Sequence, residues 1–239
     1  MHIVDRILAT SDLHGQNKKF HKLLKTMQYE PEQDLLIVCG DLIDRGKENL
    51  KCLAACQKLQ RQGAVLLKGN HEQFLEQSLI EMLETHAWRT MPSDNLYNWV
   101  THNGGAEMYN EIKDLSAEKL TAILTWIQSL PLYFTIGKFI FTHAAANTHK
   151  PIEENTEDEI VWADESFYYH RAYKDKIMIF GHIPTWLLNK SGAENKDKNK
   201  NAKIWFDNVY KDKIDIDCGG VFGGKLAAIE LPSMREFYE

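Results

Sequence analysis

The sequence predicts an α/β fold organised around a mainly parallel sheet, on three observations. Short apolar runs are followed by a polar loop and then a helical pattern, three times in succession. The loops recur at a fixed interval: 29 residues separate Asp12 from Asp41, and 29 separate Asp41 from Asn70. One βα unit takes about 30 residues. Finally, the 239 residues are 44% hydrophobic and 26% charged, a globular composition at a length suited to one large domain. Residues 1–239 are therefore read as a single domain, without linker or internal repeat.

The elements follow in order. Val4–Thr10 reads as a first strand, interrupted by Asp5 and Arg6, and Ser11–Gly15 forms the loop after it. A helix over about Asn17–Met27 is signalled by Phe20, Leu23, Leu24 and Met27 at helical spacing. Asp34–Cys39 is almost wholly apolar, as in a strand covered on both faces, and ends in Gly40–Gly46. A helix over Glu48–Gln62 leads to a third strand at Ala64–Leu67, then to Gly69-Asn70-His71-Glu72 and a helix to Thr85. Ala87–Asp114, rich in Trp, Asn and Gly, is read as a cap over the site. Ser116 opens a helix that ends before Pro131. Strands follow at Leu132–Ile136, Lys138–Thr142, Lys176–Phe180, Ala202–Phe206, Ile214–Asp217 and Leu226–Leu231, and polar Lys190–Lys203 reads as a loop.

Lys plus Arg is 28 and Asp plus Glu is 34, a net charge of −6, which argues against broad nucleic-acid or acidic-membrane binding. No apolar run approaches the roughly 20 residues of a membrane span, and the N-terminus lacks a secretory layout. Cys39, Cys52, Cys56 and Cys218 show no metal-finger or redox spacing and suit a reduced, cytoplasmic protein. No feature of the sequence sets an oligomeric state.

Five strand ends direct chemistry to one place: Asp12 and His14, Asp41 and Asp44, Asn70 and His71, His143, and His182. In open α/β folds this sheet edge is where ligands bind. Carboxylates and imidazoles without cysteine suit Mn, Fe or Zn. Six ligands are many for one catalytic ion but fit two ions sharing a carboxylate. The small positive charge left after Asp12, Asp41 and a bridging hydroxide, with Arg45 adjacent, favours a phosphate dianion.

The set Asp12-Leu13-His14, Gly40-Asp41-Leu42-Ile43-Asp44-Arg45-Gly46, Gly69-Asn70-His71-Glu72, His143 and Gly181-His182 resembles the metal-dependent phosphoprotein phosphatases, especially their bacterial and phage members. Asn103-Gly104-Gly105, Trp162 and Asp215–Leu226 add similar stretches, so the resemblance runs from about Ile7 to Leu231. It implies a metallophosphoesterase αββα sandwich with a dinuclear site at the C-terminal edge of the strands. It further implies that Asp12, His14 and Asp41 bind one ion, and that Asp41, Asn70, His143 and His182 bind the other. Mn2+ is the expected metal, with Fe or Zn compatible. A metal-bridging hydroxide would attack phosphorus directly, with His71 as general acid oriented and kept cationic by Asp44. Arg45, Asn70 and His71 would bind the substrate phosphate. A neighbouring carboxylate favours a protonated His71, and a planar guanidinium matches phosphate.

The chain also departs from the family. Pro184 stands where diesterases of the wider group carry a second His, which disfavours diester substrates. Ala163-Asp164 follows Trp162 where relatives often carry a phosphate-binding Arg, and Arg171 is either its replacement or a surface residue. His143 precedes Ala144-Ala145, where many relatives have Ala-Gly. Lys47 and Glu72 replace the Pro and Asp usual in dinucleotide-cleaving relatives. His2, His21, His86 and His149 read as surface residues, while His102 and His170 fall in rim segments that could touch substrate. Trp88, Trp99, Trp126 and Trp186 read as packing residues. The expected function is a serine/threonine protein phosphatase acting on phosphorylated protein or a small phosphoester. The alternatives are a dinucleoside polyphosphate or nucleotide phosphohydrolase, and a phosphate-binding module without turnover.

Overall fold

The computed structural model describes residues 6–85, 93–188 and 201–239. His2, Val4, Asp5, His86, Trp88 and residues 190–200 of the expected polar loop lie outside the described residues. Strands β1 (Arg6–Thr10), β2 (Asp34–Val38) and β3 (Val65–Leu66) alternate with helices α1 (Asn17–Thr26), α2 (Asn49–Arg61) and α3 (Asn70–Glu84). Helices α4 (Asp94–His102), α5 (Ala106–Ile112) and α6 (Ala117–Gln128) follow. Next come β4 (Tyr133–Ile136), β5 (Phe139–Thr142), α7 (Glu157–Val161), β6 (Ile177–Phe180) and α8 (Thr185–Leu188). β7 (Trp205–Phe206), β8 (Lys213–Asp215), β9 (Ala227–Leu231) and β10 (Arg235–Tyr238) close the chain.

The strands form two five-stranded sheets, ordered β10-β9-β1-β2-β3 and β4-β5-β6-β8-β7. β1, β2 and β3 are parallel, as are β5, β6 and β8, while β9 pairs antiparallel with both β1 and β10, β4 with β5 and β7 with β8. The period-2 alternation of side chains assigns the layers. Leu8, Leu36 and Val38 pack against the helices, whereas Ala9 and Ile37 face the second sheet. In that sheet Phe139, Phe141 and Ile179 face inward, and Ile140, Met178 and Phe180 face an outer cluster with Ile160 and Phe167. The result is the expected αββα sandwich, with a thinner second helical layer made of α7 and 3-10 turns.

Several elements differ from expectation. The Asp94–Ile112 region is two helices, the first capped by Ser93, whose side chain accepts the Leu96 N–H. β10 extends the first sheet beyond the last expected strand, pairing Phe237 with Ala228. The third and seventh strands shrink to two residues each. The four cysteines are free and buried. Among the described residues no helix is long and apolar enough to cross a membrane.

Candidate metal centre and active site

Because β1, β2, β3, β5 and β6 share one direction within their sheets, their C-terminal ends bring Asp12, Asp41, Asn70, His143 and His182 to the same rim. Backbone bonds lock the first two loops together: His14 N donates to Asp41 O at 2.9 Å and Gly15 N to Leu42 O at 2.9 Å. Glu72, wholly buried, braces the third loop against them. Its carboxylate accepts the N–H groups of Asp41, Leu42 and Gly69 at 2.8–2.9 Å. Gly40, at φ 86°, must be glycine: a Cβ there would lie 2.7 Å from Gly69 N and 2.9 Å from His143 Nδ1. Ten non-glycine residues among those described have positive φ, and six are Asp12, His14, Asp41, Asp44, Arg45 and His182. Left-handed backbone is unfavourable for such residues and persists where surrounding contacts enforce it.

Hydrogen bonding fixes the imidazole tautomers. His14 Nδ1 donates to Ile43 O at 2.9 Å and His143 Nδ1 to Cys39 O at 2.8 Å. A carbonyl can only accept, so each ring turns a lone pair on Nε2 into the site. His143 Nε2 lies 2.9 Å from Asn70 Oδ1, 3.2 Å from His182 Nδ1 and 3.4 Å from Asp41 Oδ1. His182 Nδ1 is 3.0 Å from Asn70 Oδ1. Acceptors converging at these separations fit a cation with bonds of about 2.1 Å.

On the other side, His14 Nε2 stands 3.5 Å from Asp41 Oδ2 and 3.8 Å from Asp12 Oδ1. Asp12 Oδ2 accepts the His182 N–H at 3.0 Å, while Oδ1 is buried without a hydrogen-bond partner. The orphaned oxygen is a further opening for a cation. His71 Nε2 also approaches Asp41 Oδ2, at 3.8 Å, so this half can be drawn as His14, Asp41 and His71 as well as with Asp12. Asp41 belongs to both halves. The residues present therefore fit two divalent ions.

Charge follows burial. The Asp41 carboxyl is pushed well up by burial and by the Asp12 and Glu72 carboxylates. Burial pushes the His14 and His143 imidazoles down, and takes His182 to about 3. Neutral imidazoles are the ligand form, and a divalent ion offsets the clustered carboxylate charge.

Asp44 and His71 form a separate pair, with Nδ1 and Oδ2 2.6 Å apart. Trp99 Nε1 donates to the same oxygen at 2.7 Å, and Asn49 Oδ1 accepts the Asp44 N–H at 2.8 Å. The expectation that Asp44 raises His71 is reversed. Burial, with His14 and Arg45, lowers the imidazole, while burial raises the Asp44 carboxyl. The geometry of the expected pair stands, and its ring is held without being driven into the charged form. Arg45 donates to His14 Nε2 in a short contact, its backbone N–H donates to Gly104 O, and its guanidinium lies 5.1 Å from the Phe222 ring.

Sequence reasoning missed Trp99, expected as packing alone, and Glu72 as a brace. The Gly104-Gly105 pair was the available signal for Trp99: a Cβ on Gly105 would lie 2.4 Å from the indole. Arg171 sits 5.4 Å over the Tyr210 ring rather than bonding into this cluster. His102 pairs edge-on with Tyr97 and His21 bonds Asn17 O, whereas His149 and His170 line a cavity beside Trp162.

A buried carboxylate shared by two sets of nitrogen and oxygen donors is the working part of metal-dependent phosphoester hydrolases. The model of the calcineurin-like phosphoesterases matches residues 5–220, and the chain belongs to that family. It is a hydrolytic phosphatase. It is 28% identical over 234 residues to serine/threonine-protein phosphatase 1 of Salmonella typhimurium, covering 94% of this chain and 91% of that one. It is 27% identical to a symmetrical bis(5'-nucleosyl)-tetraphosphatase of Xylella fastidiosa, covering 78% of this chain and 58% of that protein. A solved structure provisionally described as a diadenosine tetraphosphatase shares the fold, with a TM-score of 0.67, 17% identity, and coverage of 99% of this chain and 94% of that one.

Proposed function

We propose that the chain is a single-domain serine/threonine protein phosphatase of the cytoplasm, acting on phosphomonoesters of proteins. The observation that carries the hydrolase half is the convergence of Asn70, His143 and His182 acceptors on Asp41. The choice of phosphoprotein rests on likeness along nearly the full length of both chains to the Salmonella phosphatase, with Lys47 and Glu72 adding to it.

In this reading Asp12, His14 and Asp41 hold one ion, and Asp41, Asn70, His143 and His182 the other. Mn2+ is the first choice, and Fe or Zn suits the same donors. When bound, such a pair supplies Lewis acidity toward a phosphoryl oxygen and toward water. Arg45 leaves His14 and donates paired hydrogen bonds to the phosphoryl oxygens, helped by Asn70 and His71. Asp44, itself fixed by Trp99, orients the His71 ring so that Nε2 faces the leaving group. The charge of a bound phosphate dianion would favour the protonated ring, and His71 then delivers its Nε2 proton to the departing serine or threonine oxygen. Phosphoryl transfer goes directly to water, with no phosphorylated enzyme.

The test is a substrate panel on Mn-reconstituted protein: phosphoserine, phosphothreonine and phosphotyrosine peptides, nucleotides, dinucleoside polyphosphates and a diester. The phosphoserine and phosphothreonine peptides are expected to be the preferred substrates. Faster cleavage of diadenosine tetraphosphate would establish the second reading, which the named tetraphosphatase relatives support. Binding of phosphopeptide with no hydrolysis, even of p-nitrophenyl phosphate, would defeat both.

A further inference from the structure

One cavity stands beside the proposed catalytic centre without a role in it. It encloses about 510 Å³ and is lined by Asn147, His149, Asp158, Trp162, Asp164 and His170, among others. Trp162 joins cavity and centre. Its ring, 36% exposed, stands edge-on to His182 at 5.7 Å and to Phe74 at 5.6 Å. The indole N–H donates to Gln73 Oε1 at 2.9 Å, and Gln73 Nε2 donates to Asp158 Oδ1 at 2.7 Å. Because Trp162 touches His182 and lines the cavity, a peptide with its phosphorylated residue at the centre would pass the cavity with its flanking residues.

The lining carries Asp158, Glu159 and Asp164 and neither lysine nor arginine. Glu159 is paired with Lys150 at 2.7 Å, which leaves Asp158 and Asp164 as the surplus carboxylates, with His170 the imidazole nearest Asp164. Ala163 occupies the place after Trp162 where an arginine would have offset part of that charge. A polyphosphate would bring like charge to this wall. A basic side chain would meet two carboxylates and an indole face suited to cations.

We propose that this cavity is a specificity pocket that takes a lysine or arginine flanking the phosphorylated residue of the substrate protein. The assignment rests on the phosphoprotein reading above. Its test uses phosphothreonine peptides identical except for arginine, alanine or glutamate at the flanking positions, with kcat/KM measured on the Mn-loaded full chain. Arginine peptides should exceed glutamate peptides by roughly fivefold or more, chiefly through KM. In D158N/D164N that ratio should fall to near one. The amide oxygens keep the acceptors used by Gln73 and Ser166, and a ratio on one preparation is unaffected by loss of folded protein. Equal rates on the three peptides, or an unchanged ratio in the double variant, would remove the pocket assignment alone. Failure to hydrolyse any of the peptides while diadenosine tetraphosphate is cleaved would overturn the phosphoprotein reading and the pocket together.

Discussion

The two sheets deliver side chains to the centre by different means. The loops of the first sheet are tied to one another: Glu72 gathers three backbone amides from two loops, and Asn49 and Trp99 both bond Asp44. Glu111, from α5, accepts the Asn49 and Leu50 N–H groups and anchors the start of α2. The second sheet contributes single histidines, with His143 oriented by a carbonyl of the opposite sheet, 104 residues away. Beyond those histidines it provides the wall of a cavity rather than more chemistry. The contrast teaches that positional accuracy sits in the first half and, under the pocket proposal, substrate choice in the second.

Substitutions can break or sharpen this division. The largest effect is expected at the residue common to both halves. Asp41→Asn should lower bound metal from two ions to one or none and cut turnover by about 10³-fold or more. Elemental analysis reads the first and p-nitrophenyl phosphate the second, and two retained ions would contradict a shared carboxylate. His71→Asn should cost about 10²–10⁴-fold in kcat with metal content near two, as loss of a proton donor does. Metal loss in that variant would make His71 a ligand, the alternative its 3.8 Å approach to Asp41 leaves open. Trp99→Phe removes one donor to Asp44 and should reduce kcat about tenfold at unchanged metal content. Glu72→Ala leaves three amides without their carboxylate and should destabilise the fold by about 3 kcal/mol, read by denaturant unfolding. Arg171→Ala, which removes only the guanidinium over Tyr210, should change kcat/KM by less than about twofold.

Legibility in the sequence followed the same division. The apolar runs and 29-residue spacing report local periodicity, so the β1–α3 segment and the rim position of Asp12, Asp41 and Asn70 could be read directly. The split into two sheets could not, because β9 returns to pair with β1 from more than 200 residues away. β10 was missed although exposed Glu236 precedes buried Phe237, since four residues carry little periodic signal. Trp99 reads as core from its apolar neighbours; only the fold puts its N–H on Asp44. The direction of the His71 shift failed for a related reason: the sequence shows the adjacent carboxylate but not the depth at which both groups lie.

The left-handed backbone at Asp12, His14, Asp41, Asp44, Arg45 and His182 has an evolutionary consequence. Glycine relieves such conformations of roughly 1 kcal/mol each, but supplies neither ligand nor guanidinium. Selection for heat resistance alone would thus drift toward glycine at these six sites and accumulate sturdy, inert descendants. Selection that also demands turnover would have to find its stability in the helices and sheets behind the rim.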